Sequence, residues 1–144
     1  MTKVIHVLQD KAHHEIYTIR PEATVLEAIS LMADKGIGAL VVTDQNNHVV
    51  GILSERDYTR KVILMERTSK STTVSEIMTA KVLTVTKNTS VKECLNLITD
   101  HHLRHLPVLE DEQLVGLVSI GDLVKATMDD QQKLIEQLQQ YIAS

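Results

Sequence analysis

Apolar residues along this chain fall into short runs and helical stripes that occur twice in the same order. Ile16-Tyr17-Thr18-Ile19 and Val82-Leu83-Thr84-Val85 are β-rich segments. Each leads into a hydroxyl-x-x-Glu sequence, Thr24-x-x-Glu27 or Ser90-x-x-Glu93. Both read as capping boxes, in which the hydroxyl accepts from the N3 amide and the carboxylate reaches back to the cap amide. Apolar positions 25, 28, 29, 32 and 91, 94, 95, 98 then follow at the spacing of a buried helix face. Next come Ala39 to Val42 and Leu106 to Leu109, each followed by a polar turn, Asp44 to Asn47 or Glu110 to Glu112. Val49 to Leu53 and Leu114 to Val118 close the hairpins, and a second helix starts at Ser54 or Ser119. The predicted unit is β-α-β-β-α, made twice.

The duplication extends to identities. Placing Tyr17–Asp44 over Leu83–Glu110 matches Thr18 with Thr84, Val25 with Val91, Glu27 with Glu93, Leu31 with Leu97, Asp34 with Asp100, Leu40 with Leu106 and Val42 with Val108. After a one-residue gap in the turn, Val50, Gly51, Ser54 and Asp57 match Val115, Gly116, Ser119 and Asp122. About sixty residues bury too little to stand securely alone. Two copies are therefore expected to share a core with pseudo-twofold symmetry, in an α/β (α+β) fold. The boundaries predicted are 1–66 for the first repeat with its lead-in, 67–72 for a polar linker, and 73–126 for the second repeat. The second repeat opens with a capped turn, Thr73 to Met78, and residues 3–9 hold the equivalent place before the first. Residues 127–144 extend the last helix. There Leu134, Ile135, Leu138 and Ile142 recur at helical spacing, a stripe expected to pack on a partner subunit or back on the domain.

Composition narrows the class. The 144 residues are 43% hydrophobic and 24% charged, which argues for an ordered globular chain. No apolar run approaches the ~20 residues of a membrane span. Met1 to Asp10 carries His6, Gln9 and Asp10 where a secretory signal needs an unbroken apolar stretch. A formal charge of −4 supplies no cationic field for nucleic acid. With no Trp or Phe, and only Tyr17, Tyr58 and Tyr141, base-stacking platforms have little to be made from. The single Cys94 excludes an internal disulfide and a CxxC metal knuckle. The expectation is a cytoplasmic protein with neither nucleic-acid nor membrane partners.

The candidate chemistry lies in Gly51-Ile-Leu-Ser54-Glu-Arg-Asp57 and Gly116-Leu-Val-Ser119-Ile-Gly-Asp122. Ser at an N-cap and Asp at N3 start a helix and are explained by that alone, at about 1 kcal/mol each. The boxes at 24/27, 73/76 and 90/93 carry Glu, however, and these two carry the shorter Asp. A shorter carboxylate is expected to reach the cap amide less well and to face a ligand instead. A strand ending in a helix N-terminus gathers free amides and suits a phosphate. A carboxylate one turn later can accept two hydrogen bonds from the cis-diol of a ribose. The pair suggests a nucleotide, in two clefts.

These repeated endings, with Arg104-His-Leu-Pro-Val108 before the second hairpin and Thr73 to Met78 before the second copy, make the chain resemble a tandem pair of cystathionine-β-synthase (CBS) domains from residue 3 to about 126. The resemblance implies binding of an adenosine compound, AMP foremost, or ADP, ATP, NAD(H) or S-adenosylmethionine. Carried over by position, Asp57 and Asp122 would hold ribose hydroxyls, and Ser54 and Ser119 would touch ribose or phosphate. Ile16, Tyr17 and Thr18, and Lys81, Val82, Leu83 and Thr84, would bracket adenine. Gly38, Ala39 and Leu40, and His105, Leu106 and Pro107, would line the opposite walls. The copies differ where phosphate should lie, since the second has Arg104 and His105 and the first has Gly38 and Ala39. In similar modules the residue before the Asp of one repeat faces the phosphate of the other. That would bring Arg56 to the Asp122 cleft but only Gly121 to the Asp57 cleft. Arg60 is a further candidate cation, although a solvated helix face explains either arginine singly.

Other constellations carry less. His101, His102 and His105, with His13 and His14 as additions, look like a metal cluster, but the repeat puts them on different elements and no metal site is expected. Ser119, His105 and Asp122 can be drawn as a triad, yet capping already accounts for the Ser–Asp spacing and no oxyanion loop is evident. Cys94 aligns with Ala28 on an apolar face, as a core residue does. The expected function is a stand-alone, non-catalytic, energy-sensing regulatory module, a homodimer that signals through its assembly or a protein partner. The alternative is a structural dimerisation module with degenerate, ligand-free clefts.

Overall fold

The computed structural model describes residues 1–10 and 15–143. It has a mixed α+β fold with two small sheets and a long C-terminal helix. In the first repeat β1 (Thr18–Ile19) pairs in parallel with β2 (Ala39–Thr43), which pairs antiparallel with β3 (Val49–Ser54). The helix α2 (Val25–Lys35) connects β1 to β2, and β3 runs into α3 (Glu55–Tyr58) and a π-helical turn, Thr59–Ile63. Every residue of β2 is buried, as befits a central strand covered on both faces. In the second repeat α5 (Val91–His101) precedes the hairpin of β4 (His105–Glu110) and β5 (Gln113–Ser119), and α6 (Ile120–Ala143) ends the chain. The helices α2 and α5 bury Val25, Ala28, Met32 and Val91, Cys94, Ile98, repeat-equivalent positions on one stripe.

The segment expected as a strand at Val82–Val85 is reduced to one parallel bridge, Val85 with Val108. Val85 N donates to Pro107 O at 3.0 Å and Leu109 N donates to Val85 O at 2.9 Å. One step back along the ladder the donor would be the amide of Pro107, and proline has none. The first repeat has Val41 at that place, and there the ladder includes Thr18.

Compactness divides the chain differently from the repeat. One compact unit holds Glu15–Leu83 with Asp111–Val115; the other holds the N-terminal residues, Thr84–Glu110 and the chain from Gly116 on. The lead-ins are thus exchanged. The helix α1 (Val4–Asp10) belongs with the second repeat, and α4 (Val74–Ile77) with the first. Matching bridges fix them: Lys3 with Ser90, and Thr24 with Thr73. Val25 N donates to Thr72 O and Val74 N to Ala23 O, both at 2.8 Å. Val4 N donates to Thr89 O at 2.9 Å and Val91 N to Thr2 O at 3.0 Å. Each lead-in therefore caps a helix start that precedes or follows it by many residues; Val4 and Val74 are fully buried, and Val74 joins the apolar cluster of Val25, Ala28 and Met32.

The stripe on α6 does not fold back onto its unit. Leu123 is the buried residue of this helix, and every residue from Met128 to Ala143 is exposed. Among the described residues no helix is long and apolar enough to cross a membrane.

Candidate functional site

In the first repeat β3 ends at Ser54, the N-cap of α3. Asp57 N donates to Ser54 Oγ at 3.2 Å, and Ser54 N donates to Asp57 Oδ2 at 3.0 Å. The remaining oxygen, Oδ1, lies 3.3 Å from Lys61 Nζ, which also donates to Ile77 O at 2.9 Å. Glu55 N donates to Gly38 O at 3.0 Å, and Ala39 pairs with Ser54 in the sheet register. The predicted wall, Gly38 to Leu40, and the predicted helix start therefore do meet. A β-carbon on Gly38 would lie 3.6 Å from Glu55 Oε1, so a carboxylate covers this wall.

The second repeat reproduces the scaffold with other side chains. Asp122 N donates to Ser119 Oγ at 3.1 Å, Ser119 N donates to Asp122 Oδ2 at 2.9 Å, and Ile120 N donates to Arg104 O at 2.9 Å. The positions of Glu55, Lys61 and Gly38 are taken by Ile120, Ala126 and an exposed Arg104. His105 is half-buried at the start of β4, and Leu106 and Pro107 are buried behind it. Asp122 also lines a groove of about 920 Å³ that includes His6 and Lys125, at α1 and α6 of the same unit.

Both strand-to-helix starts are capped, as the repeat predicted, and each also donates its first helical amide to the residue that enters the first strand of its hairpin. The CBS domain family profile matches residues 7–63 and 74–129. The chain belongs to the CBS domain family. The CBS domain-containing protein CBSX3, mitochondrial, of Arabidopsis thaliana is 42% identical over 123 residues, 83% of this chain and 60% of that protein. The CBS pair thus spans about 60% of that relative's length. A solved structure, a putative signal-transduction protein with CBS domains from Burkholderia ambifaria, is 52% identical, with a TM-score of 0.85 over 90% of this chain and 96% of that one. A CBS-CP12 protein from bloom-forming cyanobacteria, described as hexameric, is 26% identical, with a TM-score of 0.76 over 86% of this chain and 70% of that one.

The CBS pair corrects one expectation about its aspartates. Both close a full capping box, so the shorter side chain does not leave the carboxylate clear of the cap amide. The turn from strand into helix folds the cap amide over N3, where one methylene suffices to reach it. At Thr24/Glu27 and Ser90/Glu93 the hydroxyl half forms, at 3.1 Å in each case, while both glutamates lie on exposed positions. The Thr73/Glu76 box does close, Thr73 N donating to Glu76 Oε2 at 2.9 Å.

The other predicted residues divide between the units. Ile16, Tyr17 and Thr18 are half-buried in the first, where Tyr17 OH donates to Glu15 and Lys35 Nζ lies 5.4 Å from its ring centroid. The bond to Glu15 pushes the Tyr17 phenol above its ordinary value. Arg56 and Arg60 are exposed in the same unit, and Asp122 belongs to the other, so neither unit by itself joins Arg56 to Asp122. Lys81, Val82 and Leu83 likewise belong with the first repeat, while Thr84, Arg104, His105, Leu106, Pro107, Ser119 and Asp122 share a unit.

Among the described residues no three His, Cys, Asp or Glu side chains are placed to hold a metal ion. His13 and His14 lie outside the described residues. Cys94 is buried, and desolvation pushes its thiol up to about 11.

Sequence reasoning missed why the repeated motif begins with glycine. A β-carbon on Gly51 would meet Met78 Sδ at 2.4 Å and Thr79 O at 3.1 Å; on Gly116 it would meet Leu8 Cδ2 at 2.8 Å. These glycines admit the exchanged lead-ins. A lone glycine inside a strand pattern is the signal that could have announced it.

Proposed function

We propose that this CBS pair is a non-catalytic regulatory sensor that binds an adenosine nucleotide, AMP foremost, at the Asp122 repeat. It signals through its assembly or through a protein partner. The observation that supports this reading is the pairing of Arg104 with a capped helix start that has Ile120 where the other repeat has Glu55. An anion at that helix N-terminus meets the positive end of the helix dipole and the Arg104 side chain, without an opposing carboxylate at the first position. Asp122 is the ribose residue, and Ser119 the hydroxyl beside it. The first repeat favours the second reading, a ligand-free structural role, since Lys61 pairs with Asp57 and the Glu55 carboxylate lies over the Gly38 wall.

The test is the absorbance ratio at 260 and 280 nm of purified protein, mass spectrometry of the heat-released supernatant, and melting with AMP, ADP, ATP, NAD and S-adenosylmethionine. With three tyrosines and no tryptophan, one retained adenine dominates the near-ultraviolet spectrum. AMP at about 100 times its Kd should raise Tm by roughly 5–10 °C. A tyrosine-only spectrum together with no shift from any of the five compounds establishes the structural reading instead.

A further inference from the structure

The two lead-ins are built on one plan and closed by different side chains. In α4, Val74 N donates to Ala23 O at 2.8 Å, Ser75 N to Pro21 O at 2.9 Å and Glu76 N to Thr73 O at 3.1 Å. The Glu76 carboxylate completes that turn by accepting from Thr73 N at 2.9 Å. In α1, Val4 N donates to Thr89 O at 2.9 Å, and Ile5 N to Lys87 O and His6 N to Lys3 O at 3.0 Å each. Here the closing bond runs from Lys3 N to His6 Nδ1, at 3.1 Å. His6 thus stands at the N3 position that Glu76 fills in the other lead-in, and a ring nitrogen takes the place of a capping carboxylate.

The replacement changes how the turn responds to protons. A carboxylate remains an acceptor down to its ordinary range, near pH 4. An imidazole accepts only while neutral; once it is charged both nitrogens are donors, and Nδ1 has no lone pair for an amide. Histidine is also the side chain whose ordinary titration falls between about pH 5 and 8. The charged ring has other acceptors within its unit. His6 lines the groove of about 920 Å³ with Asp10 of its own helix and with Asp122, Asp129 and Asp130 of α6, beside Lys125 and Lys133. Asp130 already accepts from Thr2 Oγ1 at 2.6 Å. In the 87–93 segment that holds the α1 start, the Lys87 ammonium lies 3.3 Å from the Glu110 carboxylate, and Lys92 and Glu93 are exposed.

We infer that His6 is a proton-operated latch on the second repeat's lead-in. The neutral ring closes the start of α1; the charged ring releases Lys3 N and turns to the groove carboxylates. The closing bond is therefore present above the histidine titration and lost as pH falls through it, while the lead-in closed by Glu76 stays shut over the same range. Release reaches past the first turn, because Val4 and Val7 are buried and Leu8 lies against Gly116, three residues before Ser119.

The latch involves no nucleotide and is tested without one. On the isotope-labelled full chain, ¹H–¹⁵N spectra from about pH 7.5 to 5.5 span the histidine titration. The Lys3 amide should shift with the same midpoint as the His6 ring protons, and the Gly116 amide should follow it. The Thr73 amide should hold still across that range. His6→Gln supplies an acceptor that does not titrate and should abolish both movements; His6→Glu should move them to the carboxylate range, near pH 4. His6 is exposed, and the same spectra show that both variants keep the fold. A Lys3 amide that does not follow the His6 ring, or one that still shifts in His6→Gln, overturns the latch. A Lys3 shift with Gly116 unmoved overturns its reach into β5.

Discussion

At the start of the last helix the first repeat carries Glu55, Asp57 and Lys61 where the second carries Ile120, Asp122 and Ala126. The backbones there are equivalent bond for bond: Ser54 N to Asp57 and Ser119 N to Asp122, Glu55 N to Gly38 O and Ile120 N to Arg104 O. The side chains around them are not equivalent. In the first repeat a carboxylate lies over a glycine wall and a lysine neutralises the aspartate. In the second an arginine stands at the wall and no acid follows the cap directly. The capped scaffold is thus the same in both repeats, and the two differ in side chains at the few positions that capping leaves open.

The largest effect expected from breaking this comparison is on affinity. Asp122→Ala should weaken AMP binding roughly tenfold or more, the equivalent of one or two hydrogen bonds to a charged group. Asp57→Ala should change it less than about twofold, as read by titration calorimetry. Equal losses at both positions would mean that the two repeats share the ligand.

Next come the glycines under the exchanged lead-ins. Gly51→Ala should destabilise the protein by about 2 kcal/mol in urea melts, because the new methyl meets the Thr79 carbonyl as well as Met78. Gly116→Ala should cost less than about 1 kcal/mol, since the nearest atoms it meets belong to the Leu8 side chain, which can turn, and not to backbone. Reversal of that order would show that Leu8 is held more rigidly than the 78–79 backbone.

A smaller difference separates the C-caps. The helix α2 ends on Gly36 at φ 65°, and α5 ends on His102 at φ 54°. His102→Gly should therefore stabilise by about 0.5–1 kcal/mol, and Gly36→Ala should destabilise by a similar amount. Thermal melts of the two variants should move in opposite directions.

The smallest effect concerns the hairpin turns, where the repeats differ by one residue. Asp44 Oδ1 accepts from Asn46 N and His48 N, each at 2.9 Å, and the bond from His48 leads in holding its carboxyl below the ordinary value of 3.8. The second turn instead uses Asp111 and Glu112 at φ 50° and 64°. A carboxylate depressed in the folded state contributes stability that is present above the unfolded value and lost as pH falls through the folded one. Acid titration of Tm should show a component below about pH 3.8 that disappears in Asp44→Asn.

Much of the fold was legible in the sequence. Thr24 and Ser90 mark the helix starts, and the stripes at 25, 28, 32 and 91, 94, 98 are the ones buried. Local hydrogen bonding and period carry that information within one or two turns of chain. The truncated strand at Val85 was less legible, because it depends on Pro107, a residue distant along the chain whose carbonyl accepts from Val85 N only in the tertiary fold. Of the candidate site, the Ser–Asp pairs and their neighbouring walls were readable as a repeat; Glu55 over Gly38 and Lys61 on Asp57 were not drawn from it, although the i,i+4 spacing of the latter was there to be read.

By itself, then, the sequence determined the long helices, the two hairpins, their duplication and the family, since each is written in short stretches of the chain. Tertiary structure alone decided that each lead-in joins the other repeat, that both motif glycines exist to let it pass, and that both aspartates close their boxes. Those outcomes are contacts between segments distant in sequence, or distances of a few tenths of an ångström, and no periodicity of one strand or helix encodes either.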